Sequence, residues 1–410
     1  MDYIENIVIE ILKDEIFMKY ENKIEIPTLK WPEVIEFASI HNLSPLIYYA
    51  TKKLELHLGI NKEVLKTWKQ QVFLSNLLQV NHIEQIKKVF KNFNDEHINV
   101  VVLKGLTLRN LYPKPELRVM SDGDLLLEAK NINKARKILI SMGFTEEEEN
   151  QSPIHYKFIY DKYFAVEIHW TLEKIGFVKD SDSFEKDVRT GLIINNSYGT
   201  PVYDLSYENE FVYTVLHMAI HFTSSGFGLR QFIDVLFIIK NRSSYINWDV
   251  VYNKLEQCGI LKFTSVILAA CKMLFNINEP WMGKFQQTQD IFYLNLFISK
   301  MLCNDVIGYK NSDEKYERLE KLYVNSKSGI YAKSKFKRSL RALLPCKGEL
   351  SQKYTYAKKH PMLLPIAWMH RAIFGAFRRD HGLIEKIKII KIIGHISKTQ
   401  LELLNWLNLK

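Results

Sequence analysis

Ile98-Asn99-Val100-Val101-Val102-Leu103-Lys104-Gly105 and, a little further on, Ser121-Asp122-Gly123-Asp124-Leu125-Leu126 are the two stretches that decide how this chain folds. The first is a short, β-branched run of the kind that forms a buried strand, and Lys104-Gly105 ends it with a residue free to turn. The spacing predicts a helix over 106–112, broken by Pro113 and Pro115. A second strand is expected within 118–128, then an amphipathic helix over 132–142 that stops with Gly143 in the C′ position. The order is strand, helix, strand, helix.

Downstream, 154–160 and 163–170 alternate around Asp161-Lys162, as a hairpin does. Its second strand carries Glu167 and His169 on one face and Val166, Ile168 and Trp170 on the other. The acidic run 146–149 reads as a solvated loop, or as a cluster that repels a misplaced anion. Upstream, apolar positions such as Ile7, Ile11 and Ile16 recur among charges, and Trp31-Pro32-Glu33 marks a helix start, so 1–90 reads as helices. From about residue 208 the helical period returns, with breaks near 224–226, 276–280, 325–329 and 345–348. The fold class is therefore α+β: a small mixed β-sheet core at 96–205, an N-terminal helical region at 1–95, a helical domain at 206–330 and a basic helical region at 331–410.

Composition supports this division. Of 410 residues, 47% are hydrophobic and 25% charged, which excludes collagen-like, low-complexity and wholly disordered chains. Seventeen glycines and 11 prolines against 21 tyrosines and 23 phenylalanines favour long helices over many turn-linked strands. Acidic residues in Met1–Asn6, where a secretory signal carries lysines, predict a cytoplasmic protein. The longest apolar stretches are interrupted by charge before the roughly 18 residues a bilayer span needs, so no transmembrane segment is expected. Cys258, Cys271, Cys303 and Cys346 lie far apart, with no zinc or redox spacing, and are expected to be reduced, buried and inert. The net charge of +10 is concentrated at one end: 330–410 holds 17 lysines and arginines against four acids, and the rest of the chain is net negative. Interleaved with Tyr354, Tyr356, Trp368, Phe374 and Phe377, those cations are either a solvated helical face over an aromatic core or a surface for an anionic partner: nucleic acid, a membrane surface or an acidic protein.

The chemistry is concentrated in the sheet. Asp122 and Asp124, two apart on one strand, point to the same face, and like charges held together are usually retained where a divalent cation neutralises them. With the hairpin strand laid beside that one, Glu167 becomes the third carboxylate at one point. That geometry suits two Mg²⁺ or Mn²⁺ ions that orient a nucleoside triphosphate and activate an attacking hydroxyl. Lys104-Gly105, at a strand-to-helix turn, offers a glycine, helix N-terminal amides and a lysine to phosphate oxygens. Arg118 and Arg109 are candidate pyrophosphate contacts, or surface arginines. Alone, two aspartates at this spacing are common at strand ends; the preceding turn and the following acid-bearing strand give them context.

The order Leu103-Lys104-Gly105, Tyr112-Pro113, Arg118, Asp122-Gly123-Asp124-Leu125-Leu126, Gly143-Phe144 and Val166-Glu167-Ile168-His169-Trp170 resembles the uncharacterised nucleotidyltransferase family of the polymerase-β-like superfamily. Trp31, Ala38, His41 and Pro45, with Leu216-His217 and His221, are similar to that family too, so the resemblance covers roughly residues 30–240. It implies a minimal nucleotidyltransferase core with helices on both sides, and Asp122, Asp124 and Glu167 as metal-binding and catalytic carboxylates. It implies a triphosphate substrate, and an association with peptide natural-product genes, lasso peptides included. Two departures stand out. Lys104-Gly105 replaces the Gly-Ser usual at the phosphate turn, and Gly123 replaces an apolar residue between the aspartates, which predicts a looser strand.

His217 and His221, four apart, share a helical face but lack the glutamate of a zincin motif, so they read as polar residues lining a nucleotide cleft or as buried, hydrogen-bonded histidines. His169 either orients the acceptor or a phosphate or is a core histidine beside Trp170. Arg230 and Asp234 read as an intrahelical pair, or as cleft-bordering residues. The expected activity is transfer of a nucleoside monophosphate from the triphosphate to an acceptor hydroxyl, phosphate or carboxylate on a small molecule or peptide, with tRNA as a further candidate. The rival is a protein that keeps the fold without turnover and uses its basic C-terminal helices as an adaptor for nucleic acid, peptide or membrane.

Overall fold

The side chain of Asn61 accepts hydrogen bonds from the amides of Glu63 and Val64 and so caps a 34-residue helix, Lys62–Asp95. Its stripe of Ile86, Val89, Phe90 and Phe93 forms one wall of the sheet's core. This element belongs to a computed structural model that describes residues 1–17, 26–147, 154–161, 164–172, 181–224, 227–286, 290–303 and 401–409. The chain divides into two compact units: Met1–His221 with Gly226–Gly308 and Leu407–Lys410, and Phe222–Ser225 with Tyr309–Trp406. The first unit holds the sheet and its supporting helices. The basic stretch 331–400, the breaks at 325–329 and 345–348, the side chains of Cys303 and Cys346, the tip at Lys162, and Glu148 and Glu149 lie outside the described residues.

The N-terminal helices are α1 (Tyr3–Phe17), α2 (Trp31–Ile40), α3 (Ser44–Lys53) and α4 (Lys62–Asp95). Pro32 and Pro45 sit in the first turns of α2 and α3, where a missing N–H leaves nothing unsatisfied. The sheet follows. Its strands are β1 (Val101–Val102), β2 (Asp122–Leu126), β3 (Thr145–Glu146), β4 (His155–Asp161), β5 (Phe164–His169), β6 (Ile193–Asn195) and β7 (Val202–Asp204), in the order β3-β4-β5-β2-β1-β7-β6. It is mixed: β2 runs parallel to β5, and β1 to β7, while the other pairings are antiparallel. Helices α5 (Gly105–Leu108), α6 (Ile132–Ser141) and α7 (Ser181–Val188) connect them. Beyond residue 206 come α8 (Tyr207–Ser224), α9 (Leu229–Arg242), α10 (Trp248–Gln257), α11 (Leu261–Phe275) and α12 (Ile291–Cys303), and α1 packs against α9 and α11. None of the described helices is long and apolar enough to cross a membrane. Cys258 and Cys271 are both buried.

The two faces of the sheet differ. Val102, Leu125, Val166, Ile168 and Phe158 point one way, into a core closed by α4 and by Ala135 and Leu139 of α6. The other face carries the charged residues. The α+β reading therefore holds, and so do the hairpin and the placement of its second strand beside the aspartates. Three local expectations do not. The first strand is two residues long. The second occupies only 122–126 of the 118–128 window, because Pro115–Leu117 coils into a 3₁₀ turn before it. The helix over 106–112 is a single α-turn that tightens into 3₁₀ at Arg109–Leu111.

Candidate active site

The parallel register of β2 on β5 places Asp122 opposite Ala165, Asp124 opposite Glu167 and Leu126 opposite His169. The antiparallel register of β4 on β5 adds Lys157 opposite Glu167 and His155 opposite His169. Because side chains alternate, Asp122, Asp124, Glu167, His169, His155 and Lys157 all share the face away from the core. Asp124 Oδ1 lies 3.5 Å from His169 Nε2, and Asp124 Oδ2 lies 3.9 Å from Lys104 Nζ. Glu167 Oε2 is 3.5 Å from His155 Nε2 and 3.8 Å from His169 Nε2, while its Oε1 is 3.9 Å from Lys157 Nζ. Asp122 is the exposed member of the group.

Crowding sets the charges. Burial alone would raise Asp124, but the His169 imidazole and the Lys104 ammonium outweigh it and hold the carboxyl at about 2. Glu167 is pushed up to about 7 by burial and then by the negative charge of Asp124 and Asp122. Burial, followed by the neighbouring His169, lowers His155 to about 4. The site thus holds one firmly ionised carboxylate beside another that is reluctant to ionise.

Lys104 enters from the turn after β1. Its φ of 25° lies in the left-handed region, where a non-glycine residue is strained by about 1–3 kcal/mol. Hydrogen bonds from Leu103 N to Asp124 O (3.0 Å) and from Leu108 N to Lys104 O (2.8 Å) bracket that conformation. The result brings Lys104 Nζ to 2.7 Å from His217 Nε2 on α8. The His221 ring packs against His217 at a tilt of 48°, with ring centroids 4.3 Å apart. Burial, and then the nearby ammonium of Lys104, depresses both imidazoles, His221 to about 3, so they line the site as neutral rings. The strained backbone belongs to the lysine, and the glycine serves a different purpose. A Cβ on Gly105 would meet Arg118 Nη1 and Met120 Cε at 3.2 Å, so Gly105 is there to let Arg118 pass beneath the turn.

Arg118 and Arg109 differ most from the sequence expectation. Arg118 is 2% exposed and gives two hydrogen bonds to Asp234 of α9, Nε to Oδ1 at 2.8 Å and Nη2 to Oδ2 at 2.7 Å; the Tyr112 hydroxyl donates to the same Oδ1 at 2.8 Å. The intrahelical Arg230–Asp234 pairing gives way accordingly: Arg230 Nη1 donates to Val119 O at 2.6 Å. Arg109, 1% exposed, donates to Pro115 O and to Gln79 Oε1, both at 3.2 Å. Gln79 in turn bonds both backbone groups of Met120, just ahead of β2. The two arginines therefore support the carboxylate strand and the turn from behind. Asp122, Asp124, Glu167, His169, Lys104, Gly105, His217 and His221 are brought to the site itself.

Gly123 does not loosen β2, whose pairing with β5 runs unbroken from Asp122 to Leu126. A Cβ there would meet Leu106 Cδ1 at 3.3 Å and Ile86 Cδ1 at 3.5 Å. Those two side chains fill the space that a residue between the aspartates would otherwise take. The sequence reading missed His155 and Lys157. The signal was present in His155-Tyr156-Lys157-Phe158, whose alternation puts the two polar residues on the hairpin face that carries Glu167.

The residues fit a divalent cation. Oxygen donors from Asp122, Asp124 and Glu167 suit Mg²⁺ or Mn²⁺, and a bound cation would offset the burial and the acidic neighbours that raise Glu167.

Partial structural likeness extends to the solution structure of the antibiotic-resistance factor ANT(2'')-Ia, at 11% identity and a TM-score of 0.33 over 48% of this chain and 100% of that one. It extends also to the crystal structure of the lincosamide antibiotic adenylyltransferase LnuA with lincomycin bound (14%, 0.27, 38% and 94%). A third is the crystal structure of an antigenic nucleotidyltransferase-like protein from Paracoccidioides brasiliensis (16%, 0.28, 48% and 98%). Likeness this distant carries no weight for function, and no curated protein matches the chain. The sequence model of a family of uncharacterised nucleotidyltransferases matches residues 27–276, which is more than half the chain and spans every residue of the site, and the chain belongs to that family.

Proposed function

We propose that the protein is a Mg²⁺- or Mn²⁺-dependent nucleotidyltransferase that moves a nucleoside monophosphate from a triphosphate to an acceptor hydroxyl, phosphate or carboxylate and releases pyrophosphate. The observation that carries this reading is the register that sets Asp124 directly beside Glu167, with Asp122 two residues before on the same face. In the reaction an acceptor oxygen forms a bond to the α-phosphorus and the bond from that phosphorus to the β-phosphate oxygen breaks. The divalent ions supply Lewis-acid stabilisation of the charge that builds on the phosphoryl oxygens. Asp122, Asp124 and Glu167 would hold those ions. Glu167, beside Asp124 on the same face, is also placed to take up the proton of an acceptor hydroxyl. Lys104, held between Asp124 and His217, sits where it can exchange either partner for a phosphate oxygen. Among acceptors we favour a small molecule or a peptide, including tailoring of a peptide natural product.

The test is a panel of triphosphates with Mg²⁺ or Mn²⁺, read by pyrophosphate release and by the mass of candidate acceptors after incubation, beside an Asp122→Ala/Asp124→Ala variant. Metal-dependent nucleotide binding and a nucleotidyl mass increment, both lost in the variant, support the reading. No triphosphate binding with any metal sinks it in favour of an adaptor that keeps only the fold.

A further inference from the structure

The hairpin places two histidines where the proposed transfer needs none. His155 and His169 are directly opposed across β4 and β5, on the carboxylate face, with ring centroids 4.7 Å apart. Glu167 stands between them and Lys157. Its Oε1 faces the lysine at 3.9 Å and its Oε2 faces the imidazoles, 3.5 Å from His155 Nε2 and 3.8 Å from His169 Nε2. The three donor atoms all lie within 4.8 Å of one another. An ion bonded to nitrogen and oxygen at about 2.0–2.1 Å holds its ligands roughly 3 to 3.5 Å apart, so closure needs only a small contraction.

A second observation points the same way. The His169 side chain is 10% exposed, and its buried Nε2 makes no short hydrogen bond, its contact to Asp124 Oδ1 being long at 3.5 Å. A buried imidazole nitrogen left in that state is costly unless something accepts its lone pair or its proton. Hard cations such as Mg²⁺ prefer oxygen and keep much of their water, whereas imidazole nitrogen suits the borderline ions.

We infer that His155, Glu167 and His169 form a nitrogen-bearing site for a borderline divalent cation, Zn²⁺ or its spectroscopic substitute Co²⁺, next to the carboxylate pair and sharing Glu167 with it. The site needs no nucleotide, so it stands or falls apart from the proposed transfer.

The test uses the full chain, stripped with a chelator and free of triphosphate. Zn²⁺ is followed by equilibrium dialysis with metal analysis, and Co²⁺ by its visible absorption. The expected result is one equivalent of Zn²⁺ and a Co²⁺ spectrum of a nitrogen-ligated ion. His155→Ala and His169→Gln each weaken Zn²⁺ by about tenfold or more, while Glu84→Gln, at an exposed position on α4, leaves Zn²⁺ affinity unchanged. Circular dichroism checks the fold of His169→Gln. If that variant unfolds, His155→Ala, with the more exposed side chain, decides alone. Equal Zn²⁺ binding by the wild type and His155→Ala, or a Co²⁺ spectrum unaltered by that substitution, overturns the assignment. Failure here leaves triphosphate binding to be judged by the Asp122→Ala/Asp124→Ala variant, and failure of that reading leaves the Zn²⁺ isotherm untouched.

Discussion

The face that carries Asp124 and Glu167 and the layer beneath Gly105 both bury charge, and they do so in opposite ways. Under the turn, Arg118 and Asp234 meet through two hydrogen bonds of 2.7 and 2.8 Å, and the Tyr112 hydroxyl adds a third to the same carboxylate. Opposite charges there neutralise each other at short range. On the sheet face, two carboxylates are adjacent in register, and their contacts with cationic or imidazole groups stand at 3.5 to 3.9 Å. One region is closed within the protein and the other is left open to something outside it. Burial and charge alone do not distinguish a structural cluster from a functional one; the completeness of the pairing does.

That contrast is broken most directly by exchanging the consequences of mutation between the two regions. Asp122→Asn/Asp124→Asn retains shape while removing charge, and is expected to lower pyrophosphate release by about 10³-fold or more, the scale of several kcal/mol of lost charge stabilisation. Its far-UV circular dichroism should match the wild type. If turnover survives, the open face is not the catalytic one.

Asp234→Ala should do the reverse. It strands the Arg118 guanidinium in a site 2% exposed, and breaking a buried pair by removing one partner costs about 3–5 kcal/mol. A denaturant titration measures this. Arg118→Met/Asp234→Leu, which removes both charges, should regain most of the loss. A double variant no more stable than Asp234→Ala would mean that the pair also holds the turn by its geometry.

The third comparison uses pH, in the metal-free chain with chelator present. Glu167 is raised from 4.5 to about 7 in the folded state, so between those values the folded chain binds more protons than the unfolded one. Stability from this group is therefore complete below about 4.5 and falls as pH rises through 7. Glu210, buried beside Arg242, is raised to about 7 as well and contributes in the same window, so the informative quantity is a difference. Glu167→Gln is expected to be more stable than the wild type at pH 8 by about 3 kcal/mol, with the gap closing by pH 4.5. A gap that does not change with pH would show that burial and the neighbouring acids do not raise Glu167.

Much of the open face was legible in the sequence. The β-branched run before Lys104, the spacing of Asp122 and Asp124, and the alternation around Glu167 each report a local period, and one parallel pairing then brings the acids together. The closed region was not legible in the same way. Arg118 finds its partner 116 residues away on α9, whereas the sequence offered Asp234 a nearer neighbour, Arg230, at helical spacing. Strands β6 and β7 were missed because they are three residues each, and β7 earns its place through a parallel pairing to Val101 about a hundred residues earlier. Short strands fixed by distant partners leave no period to read.

Gly123 lies where the two regions touch, and it gives the smallest and most discriminating effect. Its Cα faces the core side of β2, and an added Cβ would meet Leu106 Cδ1 at 3.3 Å, close enough that the leucine must yield by a few tenths of an ångström. Leu106 directly follows the Lys104-Gly105 turn, and its carbonyl accepts a hydrogen bond from Tyr198 at 2.8 Å, so its backbone is tied and its side chain must absorb the shift. Gly123→Ala is therefore expected to cost about 1 kcal/mol by overpacking. Leu106→Val, which withdraws the Cδ atoms, should recover that loss in the double variant. If stability returns and pyrophosphate release returns with it, the glycine serves packing alone. If stability returns while turnover stays low, the crowding has moved Lys104 relative to Asp124, and the strained turn is part of the open face.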